Sequence, residues 1–179
     1  MRPRLPVAAV VGARSASASA LVVAESLGTG LVDAGFRLVT GGMGGVMEAA
    51  SRGARRSPRW TDGAVVGVLP GLSASDANSF VDIVIPTGMN YARNVIVVAM
   101  ADVVVALGGG SGTLSEIALA WQHGKPIVAL DIGEGWSSRL AGEQLDHRRR
   151  DVVHRAGCVG DAVELAARLV GTVEGSRGF

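Results

Sequence analysis

Short apolar runs recur along the chain, over residues 7–11, 37–40, 64–69, 81–85, 103–107 and 127–130. They are too short for helices and too continuous for half-exposed strands, so they predict strands buried on both faces, as in a parallel sheet. Between them the apolar spacing changes to that of a helical face. Leu21, Ala24, Leu27 and Leu31 predict a helix capped by Ser17 or Ser19 and stopped at Gly35, with Gly28 and Gly30 weakening it. Further helices are predicted over about 46–55, over 91–101 with Asn90 as cap, from Thr113 onward through Leu114, Ile117, Ala118 and Trp121, and over 162–170 with Asp161 as cap. Residues 131–151 follow no single period; Trp136 can cover the sheet end, and 146–151 reads as a solvated charged face. Strands alternating with helices imply right-handed crossovers and an α/β, doubly wound, mostly parallel sheet with helices on both faces.

Three predicted strands end in glycine, at Gly12, Gly41 and Gly108, and in such a sheet these ends meet where ligands bind. After residues 103–107, Gly108, Gly109, Gly110 and Gly112 leave several amides free to converge on one point, and the helix that follows turns its positive end toward the same point. An anion would suit it. Thr113 and Glu116 have the spacing of a capping box; a functional Glu116 would instead face the sugar or base of a phosphorylated ligand, and the sequence leaves both open. Arg93 falls in the first turn of its predicted helix, where the dipole disfavours a cation unless an anion accompanies it. The helix over 91–101 is apolar on every side through 95–100, which fits either deep burial or a homodimer contact.

Composition narrows the picture. The 179 residues, 26 of them glycine, 48% hydrophobic and 4% aromatic, suit one closely packed α/β domain over 1–179 with a frayed tail at about 172–179. The net charge of +1 argues against a nucleic-acid or membrane-surface role for the whole chain, and no apolar stretch is long enough to span a bilayer. Arg52, Arg55, Arg56 and Arg59 form a local basic cluster that reads as a solvated loop before it reads as a nucleic-acid contact. The single cysteine, Cys158, suits a reducing cytoplasm. His123, His147 and His154 lack ligand spacing, so no metal site is expected.

Residues 41–50 (GGMGGVMEAA), with 108–116 (GGGSGTLSE), resemble the Lonely Guy (LOG) superfamily. Together with 85–88 (IPTG) and 91–94 (YARN), they resemble its molybdenum cofactor carrier branch more closely. The resemblance covers about 7–130. It implies a Rossmann-like homodimer, joined here through the 91–101 helix, whose ligand site would comprise Gly12, Arg14, Ser15, Thr40, Gly41, Gly42, Gly44, Gly45, Thr87, Gly88, Arg93, Asn94, Gly108, Gly109, Gly110, Ser111, Gly112, Thr113 and Glu116. Enzymes of the superfamily hydrolyse the N-ribosidic bond of nucleoside 5′-monophosphates, and by resemblance Glu116 would be the catalytic carboxylate and Arg93 the substrate-binding cation, with no cofactor required. Three positions depart from the enzymatic motifs: Gly108 replaces a proline, Asn94 a lysine and Glu48 a glycine. The departures match the carrier branch, which implies binding of molybdenum cofactor, or of a nucleotide monophosphate, as ligand without turnover. DprA-like nucleic-acid binding, on a core of similar architecture, is a third class.

Overall fold

The apolar runs pair side by side. The computed structural model describes residues 4–176. Its strands are β1 (Val7–Gly12), β2 (Arg37–Thr40), β3 (Val65–Leu69), β4 (Ile83–Pro86), β5 (Val103–Leu107), β6 (Ile127–Leu130) and β7 (His154–Ala156). All pair in parallel, in the order β4-β3-β2-β1-β5-β6-β7. The chain therefore builds outward from β1 in one direction, returns, and builds outward in the other from β5. The order reverses between β1 and β5, which are paired from Ala8 with Val103 to Gly12 with Leu107.

The helices are α1 (Ala18–Asp33), α2 (Val46–Arg56), α3 (Asn94–Met100), α4 (Ser111–Gln122), α5 (Gly135–Leu140) and α6 (Val159–Ser176). Successive strand residues point to opposite faces, and two separate cores result. Ala8, Val10, Val103, Val105 and Leu107 pack with Leu27 and Leu31 of α1, Ala50 of α2 and Ala166 of α6. Ala9, Val11, Val104 and Ala106 pack on the other side with Val97 and Val98 of α3 and Ile117 and Trp121 of α4. This is the expected doubly wound, Rossmann-like α/β architecture, with every strand pairing parallel.

Gly28 does more than weaken α1. A Cβ there would run into the Ala50 carbonyl, and one on Gly53 would run into the Glu25 carbonyl, so the two glycines let α1 and α2 cross at backbone distance. Thr29 Oγ1 closes the crossing with a 2.8 Å hydrogen bond to the Gly53 carbonyl.

Several local expectations are corrected. Asn90 does not cap a helix over 91–101: at φ +50° it lies in the left-handed region, and its residues form a 3-10 turn, Asn90–Arg93, with α3 beginning only at Asn94. The final helix starts at Val159, so Asp161 is in its first turn rather than at its cap. It also continues to Ser176, past the expected end at Val170, and the last three residues of the expected frayed tail lie outside the described residues. The ambiguous segment contributes α5 and leads into β7. Its charged stretch is only partly solvated: Arg149 stacks 4.6 Å from the Trp121 ring and donates to the Lys125 carbonyl.

Candidate functional site

The carboxyl ends of β1 and β5 open into a cavity of about 430 Å³. Val11, Gly12, Ala13, Arg14 and Ser15 form one wall, and Gly110, Ser111, Gly112, Thr113 and Glu116 form the facing one. Gly41, Met43 and Met47 enter from the end of β2, and Tyr91, Arg93 and Asn94 from the turn ahead of α3.

The glycine loop is held by α5. The Gly108 carbonyl accepts from the Ser137 amide and the Gly109 carbonyl from the Trp136 amide, each at 3.0 Å. Ser137 Oγ in turn accepts from the Gly108 amide at 2.7 Å. Both carbonyls are thus drawn toward α5. In a trans peptide the N–H opposes the C=O, so the Gly109 and Gly110 amides point away from α5. Gly110 stands at the N-cap of α4 without a side-chain cap. Among the described residues, no protein acceptor takes the amides of Gly109, Gly110, Ser111, Gly112 or Thr113. Five consecutive free donors at the positive end of a twelve-residue helix make an anion-attracting concavity. Among the described residues, a Cβ on Gly110 or Gly112 would meet no atom within 4 Å beyond its own turn, so these two positions leave the loop open.

The capping-box reading of Thr113 and Glu116 is overturned. Because the glycines allow α4 to begin at Ser111, Thr113 is already inside the first turn and Glu116 faces inward one turn later. There it meets Arg93, with Nη1 donating to Glu116 Oε1 at 3.2 Å and to Asn94 Oδ1 at 2.7 Å. Both partners are buried, at 8% side-chain exposure each. Burial pushes the Glu116 carboxyl up to about 7, against the opposing pull of Arg93. Burial likewise lowers the Arg93 pKa, with Glu116 opposing. The Arg93 Nε is buried without an acceptor among the described residues. Gly41 makes this placement feasible, since a Cβ there would collide with Arg93 Nη2 and come within 2.6 Å of Met47 Sδ. Asn94, standing where the enzymatic motif has lysine, ties α3 to α4 through a 2.8 Å bond from its Nδ2 to Ser115 Oγ. Arg14 is exposed at the rim and makes no ion pair among the described residues.

Of the residues expected at the site, the structure gathers Gly12, Arg14, Ser15, Gly41, Arg93, Asn94, Gly110, Ser111, Gly112, Thr113 and Glu116 around this cavity. Gly108 and Gly109 line an adjoining hollow. Thr40, Gly42, Gly44, Gly45, Thr87 and Gly88 lie outside both linings. Thr40 Oγ1 accepts from the Gly42 amide, and Thr87 Oγ1 donates to the Leu69 carbonyl. In the second glycine turn the first α2 amide, of Val46, is taken by the Ala13 carbonyl, and a Cβ on Gly44 would lie 3.7 Å from Glu48 Oε2. Sequence reasoning missed Met43, Met47 and Tyr91 as lining residues, although all three fall within the motifs quoted above.

The arginine cluster is spent within the fold. Arg52 and Arg56 pair with Glu25, Arg55 with Asp82, and Arg59 donates to the Asp33 carbonyl. Among the described residues no helix is long and apolar enough to cross a membrane, and no group of acidic, histidine and cysteine side chains could hold a metal.

A parallel sheet with free glycine-loop amides and a buried Arg–Glu pair at its switch point defines a Rossmann-like protein with a candidate site at that point. The chain belongs to the SLOG cluster4 family, whose model matches residues 5–161, and so to the LOG superfamily with its molybdenum cofactor carrier branch. It is similar to the molybdenum cofactor binding protein of Rippkaea orientalis, with 34% identity, 93% of this chain and 98% of that chain covered and a TM-score of 0.80. The molybdenum cofactor carrier protein of Chlamydomonas reinhardtii is also 34% identical, with 93% and 99% covered and a TM-score of 0.78. A cytokinin riboside 5′-monophosphate phosphoribohydrolase of Mycobacterium tuberculosis is 33% identical over 133 residues, 70% of each chain.

Proposed function

We propose that this protein binds and carries a phosphorylated heterocycle, with molybdenum cofactor as the cargo that its relatives favour. The observation that carries the reading is the run of five free amides from Gly109 to Thr113, set between Arg14 at the rim and Arg93 at the floor. A phosphate placed on those amides gains several charge-assisted hydrogen bonds, and the heterocycle extends along Met43, Met47 and Tyr91. Two of the similar structures are molybdenum cofactor binding or carrier proteins, and the loss of the motif lysine at Asn94 leaves a site suited to holding rather than turnover. A homodimer joined along α3 completes the reading: Tyr91, Val95 and Ala99 leave an exposed, largely apolar stripe beside the cavity. A phosphorylated cargo and an unpaired, exposed Cys158 suit the cytoplasm.

One observation favours a second reading, phosphoribohydrolase activity: Arg93 and Glu116 are both present, in contact and facing the cavity. Water would then replace the base on the ribose, giving free base and ribose 5-phosphate, with Glu116 aiding the water and Arg93 holding the phosphate. Burial that lifts the Glu116 carboxyl to about 7 also suits a general base; what argues for the carrier is asparagine at position 94 where the enzymatic motif has lysine.

The test is chromatography of the purified protein after incubation with a panel of nucleoside 5′-monophosphates, beside anaerobic retention of molybdenum cofactor released from a denatured molybdoenzyme. Intact nucleotides, with retained pterin that Gly110→Val loses, are expected. Release of free base by the wild type and not by Glu116→Gln would make the protein an enzyme.

A further inference from the structure

The hollow beside the main cavity has a volume of about 330 Å³ and is lined by Ser15, Ser17, Glu134 and the glycine loop. Ala13, Ser15 and Gly110 line both spaces, so they are two lobes of one cleft that meet at the free amides. The lobes differ in chemistry. The first carries Arg14, Arg93 and Glu116 with Tyr91 and two methionines; the second carries no aromatic and no cation, but two hydroxyls and one carboxylate among alanines, glycines, Val46 and Leu107.

Glu134 is exposed, and its Oε1 accepts from Ser17 Oγ at 2.9 Å. Ser17 is itself fixed as the N-cap of α1, accepting from the Ala20 amide at 3.2 Å. The carboxylate is therefore anchored at one oxygen, leaving the other to accept from a ligand. Neither Glu134 oxygen caps α5. A carboxylate that lines the same hollow as the glycine loop does not attract a second anion to its own position; it attracts hydroxyl donors. In dinucleotide-binding sheets an acidic side chain beyond a strand end receives the hydroxyls of a ribose.

Building on the carrier reading, we propose that the cleft takes a pyrophosphate-bridged dinucleotide. The bridge would lie on the amides at Gly110, the heterocyclic half in the Arg93 lobe, and the ribose of the second nucleotide against Glu134 and Ser17. The second lobe is what a simple monophosphate would leave empty, and each lobe is of a size that holds a small-molecule fragment of this kind.

Isothermal titration of the wild type, Glu134→Ala and Gly110→Val with AMP and with nicotinamide adenine dinucleotide and flavin adenine dinucleotide tests this. The wild type is expected to bind at least one dinucleotide about tenfold or more tighter than AMP. Glu134→Ala should erase that gain and leave AMP affinity within about twofold, while Gly110→Val should lose both classes. Equal wild-type affinity for AMP and both dinucleotides, or an equal loss of both classes in Glu134→Ala, would overturn the two-lobe proposal and leave the anion site standing. Binding of no probe by the wild type would overturn both. Glu134→Gln, which keeps a hydrogen-bond acceptor beside Ser17, should retain part of the gain, and circular dichroism of each variant separates lost binding from lost fold.

Discussion

At Gly41 a missing side chain decides where a charge sits. Arg93 reaches Glu116 only because nothing projects from Gly41, and an added methyl would meet the guanidinium and the Met47 sulfur. These are the ends of flexible side chains, so Gly41→Ala should fold with Arg93 displaced. Losing a charge-assisted contact costs roughly 1.5–3 kcal/mol, so phosphate-ligand affinity should fall by at least about tenfold in a calorimetric titration. Unchanged affinity would remove Arg93 from the binding site. Glu116 gives a second residue-scale expectation. Its folded pKa of about 7 stands above its ordinary 4.5, so between those values the folded state holds the extra proton. Stability should therefore rise as pH falls from about 7 to about 4.5, by at most roughly 3 kcal/mol. Asp131, Asp146 and Asp151 are held below their ordinary 3.8 and act at still lower pH. Urea midpoints measured at pH 5 and pH 8 should differ in the wild type and converge in Glu116→Gln; a gap that persists in the variant would assign the pH dependence to another group.

The strands of the central sheet were legible because burial on both faces leaves an unbroken apolar run, and Val103 to Leu107 are all fully buried. Element ends were less legible. Asn90 is a good cap by composition, but Gly88 at φ +66° and Asn90 at φ +50° turn the chain first, and the helix starts later. Thr113 and Glu116 match a capping box by spacing, but a glycine cap let α4 begin earlier and released Glu116 to Arg93. A contact between residues twenty-three apart has no local signature. The same holds for α5 and Glu134, which only the folded sheet brings beside the glycine loop. The close crossing of α1 and α2 was hidden in a feature that propensity counts as a defect. Alanine at position 28 should gain about 1 kcal/mol of helix propensity, yet its Cβ would strike a backbone carbonyl that cannot rotate away. Gly28→Ala should therefore lower stability by about 1–3 kcal/mol, read as a lower urea midpoint at constant slope. A stabilised Gly28→Ala would mean that the two helices separate freely.

Over the whole molecule, the main cavity is bordered by surface that water should not favour. Tyr91 lines the cavity yet is 86% exposed, and Val95, one turn further along, is 41% exposed. A second copy laid along α3 would cover both, and would narrow the cavity mouth at Tyr91. Association and ligand binding should then support one another, since burying the tyrosine fixes one wall of the site. Light scattering on a sizing column should give twice 18.2 kDa for the wild type. Val95→Glu places a charge on the exposed stripe and spares the inward Val97 and Val98, so it should give a folded monomer with weaker phosphate-ligand binding. A wild type that elutes at the monomer mass would end the dimer proposal. A monomeric Val95→Glu with full affinity would instead show that the cavity wall is complete within one chain, and that the exposed stripe serves assembly alone.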